Sequence, residues 1–437
     1  GSEMENGGLV PLMITLTTLL FIAGLVHAAT RRLRVPYNIG LVAAGLALGL
    51  GVEALPFSSV FPRIRLTPDV IFSVIIPVLV FEAGIGIDPR HLRRELAPIL
   101  ALAVPGMICS SLIIGALIGW ISPLSFSAAL LFGVLISGTD PVAIVTLLKK
   151  ARASERLSVL MDGESLFSDA AAIVGFGLLL ETIIGAAGSH GTDSELGAVG
   201  RFLLTFFGGL AVGAAIGAAA AALLRILYGD EAALITLSVV TAFSSFFVAN
   251  HFLGVSGVLS VLAAAITFRS RGRSVVTAPS HRDAARFFWG YAAFLANTLV
   301  FLLLGLTQRQ LFAHIGDYER PWLLLGGTVV AVLVGRIAAV QGMLPLAAWL
   351  SRSEPVDART RWVIVWGGLR GAVPLALVLL LPEDFPYRQG LFDMTLTVIL
   401  FTLLVQGSTF GWVMARLGLT GAAPERTHTP GAPGDGW

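Results

Sequence analysis

The chain has 437 residues, of which 56 % are hydrophobic and only 13 % charged, and its mean hydropathy is +0.85. Soluble domains carry about a quarter charged residues, so this composition excludes an ordinary soluble enzyme and leaves an all-α polytopic membrane protein. The formal net charge of +2 says little, and the basic segments serve topology and lipid headgroups, with no nucleic-acid partner. The one cysteine, Cys109, lies in an apolar run and supports neither a disulfide framework nor a thiol metal site. No motif calls for a resident cofactor.

About 20 apolar residues cross the hydrocarbon core as a helix. Cutting the chain at its charged breaks predicts about thirteen transmembrane spans: 9–29, 36–52, 67–87, 96–120, 127–148, 160–185, 200–224, 231–250, 253–268, 287–306, 321–347, 361–381 and 391–415. Residues 1–8 form an N-terminal extension, and the first span takes the role of a signal peptide. The Ala-Gly run from Gly208 to Ala222 suits close helix packing in lipid. Residues 416–437, polar and rich in Gly and Pro, read as a disordered cytoplasmic tail.

Cytoplasmic loops collect Lys and Arg. One set of alternate connections holds Arg31, Arg32, Arg34, then Arg90, Arg93, Arg94, then Lys149, Lys150, Arg152 and Arg156. It continues through Arg225, the cluster from Arg269 to Arg286, and Arg352, Arg359 and Arg361. The opposite set holds only Arg63, Arg65, Arg201, Arg309, Arg320 and Arg388. This bias predicts a multi-pass protein with its N-terminus outside and its C-terminus in the cytoplasm.

Two spans carry their own interruptions. The fifth contains Ser137-Gly138-Thr139-Asp140-Pro141-Val142-Ala143. Proline lacks an amide proton and disfavours helix at the residue before it, so the chain should unwind there beside a carboxylate and a hydroxyl. The blander reading is a proline kink with Asp140 as a cap. The twelfth contains Gly367-Gly368-Leu369-Arg370-Gly371-Ala372-Val373-Pro374, with Arg370 among apolar residues and in need of a partner. The two interruptions fall at matching places if spans 1–6 and 8–13 are inverted repeats, a pointer to a transporter site at membrane depth.

The sixth span carries Glu164, Ser165, Ser168 and Asp169 within six residues of an apolar segment. Ionisable groups at that depth are functional hypotheses by default; the alternative places them near the headgroups at a helix N-terminus. Ser165 and Asp169 are four apart and share a helix face, whereas Glu164 is rotated by about 140° from Asp169. Asp169 is therefore assigned to a cavity and Glu164 to an ion pair with Arg370, while Arg336 either neutralises a core acid or snorkels. Burial disfavours the charged form of a carboxylate, so an acid in a half-dry cavity can trade a proton for a hard cation bound through oxygen.

Thr139-Asp140-Pro141-Val142-Ala143, Gly163-Glu164-Ser165-Leu166 with Asp169 five residues after the Glu, and Gly368-Leu369-Arg370-Gly371-Ala372-Val373 together resemble the sodium/proton exchanger branch of the cation/proton antiporters. The resemblance extends over nearly all of residues 9–415, with the motifs in order. It implies a homodimer of thirteen-helix protomers in the plasma (inner) membrane, with two crossed, unwound helices. A core bundle (about 96–185 and 321–415) would move like an elevator against an interface bundle (about 9–87 and 200–306). It further implies that Asp169 binds Na+ or H+, that Thr139 and Ser165 add oxygens to the Na+, and that Asp140 and the Glu164–Arg370 pair hold the crossed helices. The ion- and proton-binding set is thus Asp169, Ser165, Thr139, Asp140 and Ser168.

This chain departs from the family at Ser168, where Asn is usual. Serine is shorter than asparagine, so any bridge toward Asp140 is expected to be rearranged or carried by water. Another branch has a second carboxylate there. With Ser168 a single exchangeable charge remains, which predicts one-for-one, electroneutral exchange of Na+ (or Li+) for H+. Potassium–proton exchange is the alternative within the family. A gated cation channel and an intramembrane aspartyl protease using Asp140 and Asp169 are the alternatives outside it.

Overall fold

A computed structural model describes residues 6–33, 37–51, 70–140, 148, 151, 153–188, 195–227, 230–273, 275–276, 278–314, 320–352 and 354–419. These residues are helical with short connections, and no strand occurs among them. In chain order the helices are α1 (Asn6–Leu33), α2 (Tyr37–Gly51), α3 (Ile71–Gly86), α4 (Pro89–Arg94), α5 (Leu96–Ile121), α6 (Phe126–Leu135) and α7 (Glu155–Gly188). There follow α8 (Glu195–Leu227), α9 (Glu231–Phe252), α10 (Gly257–Gly272), α11 (Pro279–His314) and α12 (Pro321–Ser351). The last are α13 (Ala358–Trp366), α14 (Ala372–Leu379) and α15 (Arg388–Arg416). Among the described residues seven helices are long and apolar enough to cross a membrane, and α2, α3 and α6 are shorter apolar helices.

Over their described residues the predicted spans fall on helices; in the fifth, α6 stops at Leu135, and in the twelfth, α13 and α14 are separated by Gly367–Gly371, where the break was expected. Pro141, Val142 and Ala143, which enter the reading of the first break, lie outside the described residues, as do residues 1–5 and 420–437. The helix starts follow capping chemistry. Asp88, Ser125, Asp230, Ser256 and Asp357 each accept an N–H from the first turn of α4, α6, α9, α10 and α13. Two long helices begin earlier than hydropathy predicts. Ser154 receives the Leu157 N–H at 3.3 Å and so starts α7 at Glu155, and Pro279 starts α11 ahead of its apolar stretch. The polar helix α4 has no hydrophobic signal and was not predicted.

The helices pack in two groups. One joins α5, α6, α7, α12 and α15, with α13 and α14 held among them; the other joins α2, α3, α8, α9, α10 and α11. In the second group, Gly209, Gly213 and Gly217 lie one turn apart on α8 against the backbone of α10. A methyl group on Gly209 or Gly217 would stand 2.5 Å from the carbonyl oxygen of Ser256 or Ala264, and one on Gly213 would overlap that of Ser260. Small residues at such spacing let helices meet without a hydrophobic driving force. Gly213→Val should therefore lower stability by about 1–3 kcal/mol through overpacking, seen as a fall in melting temperature in detergent. An unchanged melting temperature would show that α8 and α10 do not meet there.

At the basic end of the first group, Arg156 near the start of α7 pairs with Glu95 at 2.9 Å and donates to the Glu354 carbonyl at 2.8 Å. Arg269 of α10 donates to the carbonyls of Ile85 and Ile87, both at 2.6 Å, closing the C-terminal end of α3. Between them, Asp88 caps α4 by accepting the Arg90 N–H at 2.8 Å. That hydrogen bond first, and the nearby Arg269 guanidinium after it, hold the Asp88 carboxyl below the usual carboxylate range. A lowered folded value means the cap stabilises fully above the unfolded value near ~3.9 and is lost as pH falls through the folded one. Asp88→Ala should thus cost about 1 kcal/mol at neutral pH, and the difference from wild type should vanish in acid melts. A difference that does not shrink as the pH falls would contradict the cap.

Candidate functional site

The chemistry gathers where the two interrupted segments cross. Helix α6 ends because Ile136 and Ser137 turn back to Phe132 and Val134 (3.0 and 3.1 Å), after which the chain leaves the helical path through Gly138, Thr139 and Asp140. Across it, Gly367 closes α13 on Val363 at 2.8 Å, and the backbone stays unwound until Ala372 opens α14. The two breaks are joined directly: the Asp140 N–H donates to the Leu369 carbonyl at 2.7 Å. They approach so closely that a methyl on Gly371 would lie 2.6 Å from Asp140 Oδ2. A side chain at 371 would push the crossing apart.

Each break places a charge at an exposed helix end of the other segment. The Arg370 guanidinium donates through Nη1 to the carbonyls of Ser137 and Gly138, the latter at 3.0 Å, at the C-terminal end of α6. The Asp140 carboxylate lies against Gly371 at the N-terminal end of α14. Cations belong at helix C-termini and anions at N-termini. Arg370 is held from behind as well, its N–H donating to Thr402 Oγ1 at 3.1 Å where α15 widens into a π turn at Thr402–Gln406.

This arrangement corrects the expected Glu164–Arg370 pair. Glu164 receives both Arg336 Nη1 and Nη2, at 2.7 and 2.9 Å, and Arg336 also donates to the Ile364 carbonyl at 3.1 Å. The rotation that takes Glu164 off the Asp169 face points it to α12, where Arg336 stands, rather than to the crossing. Arg370 instead makes its hydrogen bonds with carbonyl oxygens of the neighbouring break. Of the two readings of Arg336, neutralisation of a core acid holds and snorkelling does not.

Asp169, Ser165 and Ser168 all face the first break and are nearly inaccessible. Ser165 Oγ donates to the Thr139 carbonyl at 2.5 Å, and Ser168 Oγ donates to the Ser165 carbonyl at 3.0 Å. Thr139 Oγ1 and Ser168 Oγ are 3.3 Å apart. The hydroxyl of Ser168 is thus spent on Ser165 and Thr139. The Asp169 carboxylate accepts the Thr139 backbone N–H, while its Oδ1 has no hydrogen-bond partner among the described residues. Gly138 leaves the space this oxygen occupies, for a methyl there would stand 2.5 Å from it.

Beside that oxygen is a cavity of about 30 Å³, enough for one or two waters or a largely dehydrated ion. Among the described residues its polar lining is Thr139, Asp140, Asp169 and Asn297, with Ile76, Leu79, Val80, Leu166, Ala372 and Val373 as its apolar wall. All five members of the expected ion-binding set therefore lie at the crossing. Ser165 and Ser168 orient Thr139, whereas Thr139, Asp140 and Asp169 reach the cavity. Asn297 was missed, although a lone amide within the apolar segment 292–306 is its signal in the sequence.

The geometry agrees with comparisons to known proteins. The family model described as "Sodium/hydrogen exchanger, transmembrane" matches residues 16–416. The Na(+)/H(+) antiporter NhaH of Halobacillus aidingensis is 32 % identical over 94 % of this chain and 99 % of its own. The Na(+)/H(+) antiporter ApNhaP of Aphanothece halophytica is 31 % identical over 98 % of this chain and 79 % of its own. Among solved structures, the sodium proton antiporter MjNhaP1 from Methanocaldococcus jannaschii at pH 8 superposes with a TM-score of 0.72, covering 93 % of this chain and 99 % of that one at 17 % identity, a likeness of fold. By the extent of the family match and the identity to relatives of similar length, this chain belongs to the sodium/hydrogen exchanger family of membrane transporters.

Proposed function

We propose that the chain exchanges Na+ for H+ across a membrane, binding either one or the other at Asp169. The observation that carries this reading is the single Asp169 oxygen left without a partner among the described residues, beside a cavity too small for a hydrated ion. A carboxylate with one oxygen held by a backbone N–H and the other open can take a proton or a cation, not both. Thr139 supplies further oxygen, Ser165 and Ser168 fix its orientation, and Asp140 tunes the field from the opposite break. Hard oxygen ligands suit Na+ and Li+.

Exchange is one for one, and so electroneutral, because Ser168 stands where a second carboxylate would add a charge. The cavity lies between the crossed helices, a core bundle formed by α5–α7 and α12–α15, and residues of α3 and α11 from the remaining helices. That boundary is where an elevator-like displacement of the core against an interface bundle would open the site to either side. The same reading takes the protein to be a homodimer in the plasma membrane, with its basic connections in the cytoplasm.

Proteoliposomes with an imposed pH gradient test it. Added Na+ and Li+ should dissipate the gradient with saturating dependence, and clamping the membrane potential should not change the rate. Cation flux that fails to saturate or to couple to the pH gradient would overturn the antiporter reading, and a rate that follows the potential would overturn the stoichiometry.

A further inference from the structure

Asn297 is the polar group in the cavity wall that the motifs do not account for. It lies on α11, which packs against α2 and α3, whereas Thr139, Asp140 and Asp169 belong to α7 and the break after α6. It is buried, at 5 % exposure, and its neighbours on the helix are apolar apart from Thr298, whose hydroxyl is engaged elsewhere, with Tyr37 and the Phe294 carbonyl. A buried amide needs a polar partner, and the polar groups that share its cavity are the ion-binding ones.

The cavity volume sets the chemistry. An ion entering about 30 Å³ must leave most of its water behind, so the wall has to replace that water with oxygen. The rest of the wall on the α3 and α11 side is hydrocarbon: Ile76, Leu79 and Val80. A carboxamide offers one carbonyl oxygen and two N–H donors without adding charge. Its oxygen can ligate a cation held by Asp169, and the same oxygen can accept the O–H of Asp169 when a proton takes the cation's place. Both loaded forms are then satisfied by one neutral group, which leaves the one-for-one balance intact.

We infer that Asn297 is a specificity-determining residue: it supplies a neutral oxygen to the transported cation from the side opposite the crossed helices, and it sets the preference between Li+ and Na+. The inference rests on the reading of Asp169 as the exchange site and goes beyond it by naming a ligand on the other helix group. Because Asn297 does not travel with the crossed helices, its contact belongs to the arrangement in which α11 and α7 share the cavity.

The test compares wild type with Asn297→Ala, Asn297→Gln and Asp169→Asn in proteoliposomes, reading the apparent KM and Vmax for Na+ and Li+. Asn297→Ala should raise the Na+ KM about tenfold, equivalent to ~1.4 kcal/mol, with Vmax nearly kept and the Li+:Na+ KM ratio changed. Asn297→Gln keeps the amide but moves it by one methylene, and should change the ratio while recovering part of the Na+ affinity. Stabilisation of the detergent-solubilised protein by Na+ gives a reading independent of transport: the rise in melting temperature with Na+ should need about tenfold more salt in the alanine variant. If that variant does not fold, the Li+:Na+ ratio of Asn297→Gln decides. Wild-type KM values and ratio in the Asn297 variants, with Asp169→Asn inactive, would overturn the inference alone. Exchange persisting in Asp169→Asn would overturn the site reading beneath it.

Discussion

Asp169→Asn is expected to reduce Na+-coupled proton flux to below roughly a hundredth of the wild-type rate, while the protein folds and melts as before. The magnitude follows from replacing an ionic ligand by a neutral one, a loss of about 3 kcal/mol or more, together with the loss of the group that carries the proton. Stability should survive because asparagine matches aspartate in shape and its carbonyl oxygen can still accept the Thr139 N–H that Asp169 accepts now. The variant therefore separates transport from folding, which few buried substitutions do. Flux above a tenth of wild type would remove Asp169 from the exchange step. Loss of flux accompanied by loss of folded protein would assign Asp169 to holding the crossing together rather than to carrying ions.

The second large effect is on stability and lies at Glu164 and Arg336. Their side chains are 4 % and 8 % exposed and bonded at two atoms each. Removing one partner from a buried pair leaves an uncompensated charge, at a cost of roughly 3–5 kcal/mol. Arg336→Ala should accordingly abolish or severely lower the yield of folded protein. Glu164→Gln should do the same, while Glu164→Gln with Arg336→Met should recover much of the loss, since replacing both charges by neutral groups removes the desolvation problem. A double-mutant cycle decides the pairing. Coupling of more than about 1 kcal/mol is expected between Glu164 and Arg336, and less than about 0.5 kcal/mol between Glu164 and Arg370. The opposite pattern would restore the pair read from sequence. Arg370→Ala should still destabilise, through the Ser137 and Gly138 carbonyls it leaves without a donor.

Much of this organisation was legible in the sequence, for physical reasons. Apolar length marks helices in lipid without knowledge of their neighbours, so the spans fell on the apolar helices, with errors where polar helix continued beyond the apolar stretch, as in α7 and α11, and at the wholly polar α4, which carries no such signal. Gly138 with Pro141, and Gly367 with Gly371, disfavour helix locally, so the breaks were legible too, and the helix period placed Ser165 and Asp169 on one face. The period fixes a direction around one helix but does not say which helix stands there. It turned Glu164 away from Asp169, yet with Arg336 and Arg370 both in apolar segments, opposite charge alone could not choose between them. The reading also assumed that a buried guanidinium needs a carboxylate, whereas Arg370 has the carbonyls of an unwound helix end. Asn297 belongs to no motif, and only the packing of α11 onto the crossing makes its amide relevant. Ser168 was expected to alter a bridge toward Asp140. Its hydroxyl instead bonds the Ser165 carbonyl and lies beside the Thr139 hydroxyl, and so supports the segment that presents Thr139.

The central claim is that one cation and one proton compete for Asp169. The most direct measurement is calorimetric titration of the purified protein with Na+ in buffers of different ionisation enthalpy, whose slope counts protons released per cation bound. The expected result is about one proton per Na+ at pH values where Asp169 is protonated in the absence of the cation, and no Na+-linked release in Asp169→Asn. Na+ binding with no proton release at any pH, or release of the same size in Asp169→Asn, would contradict the account.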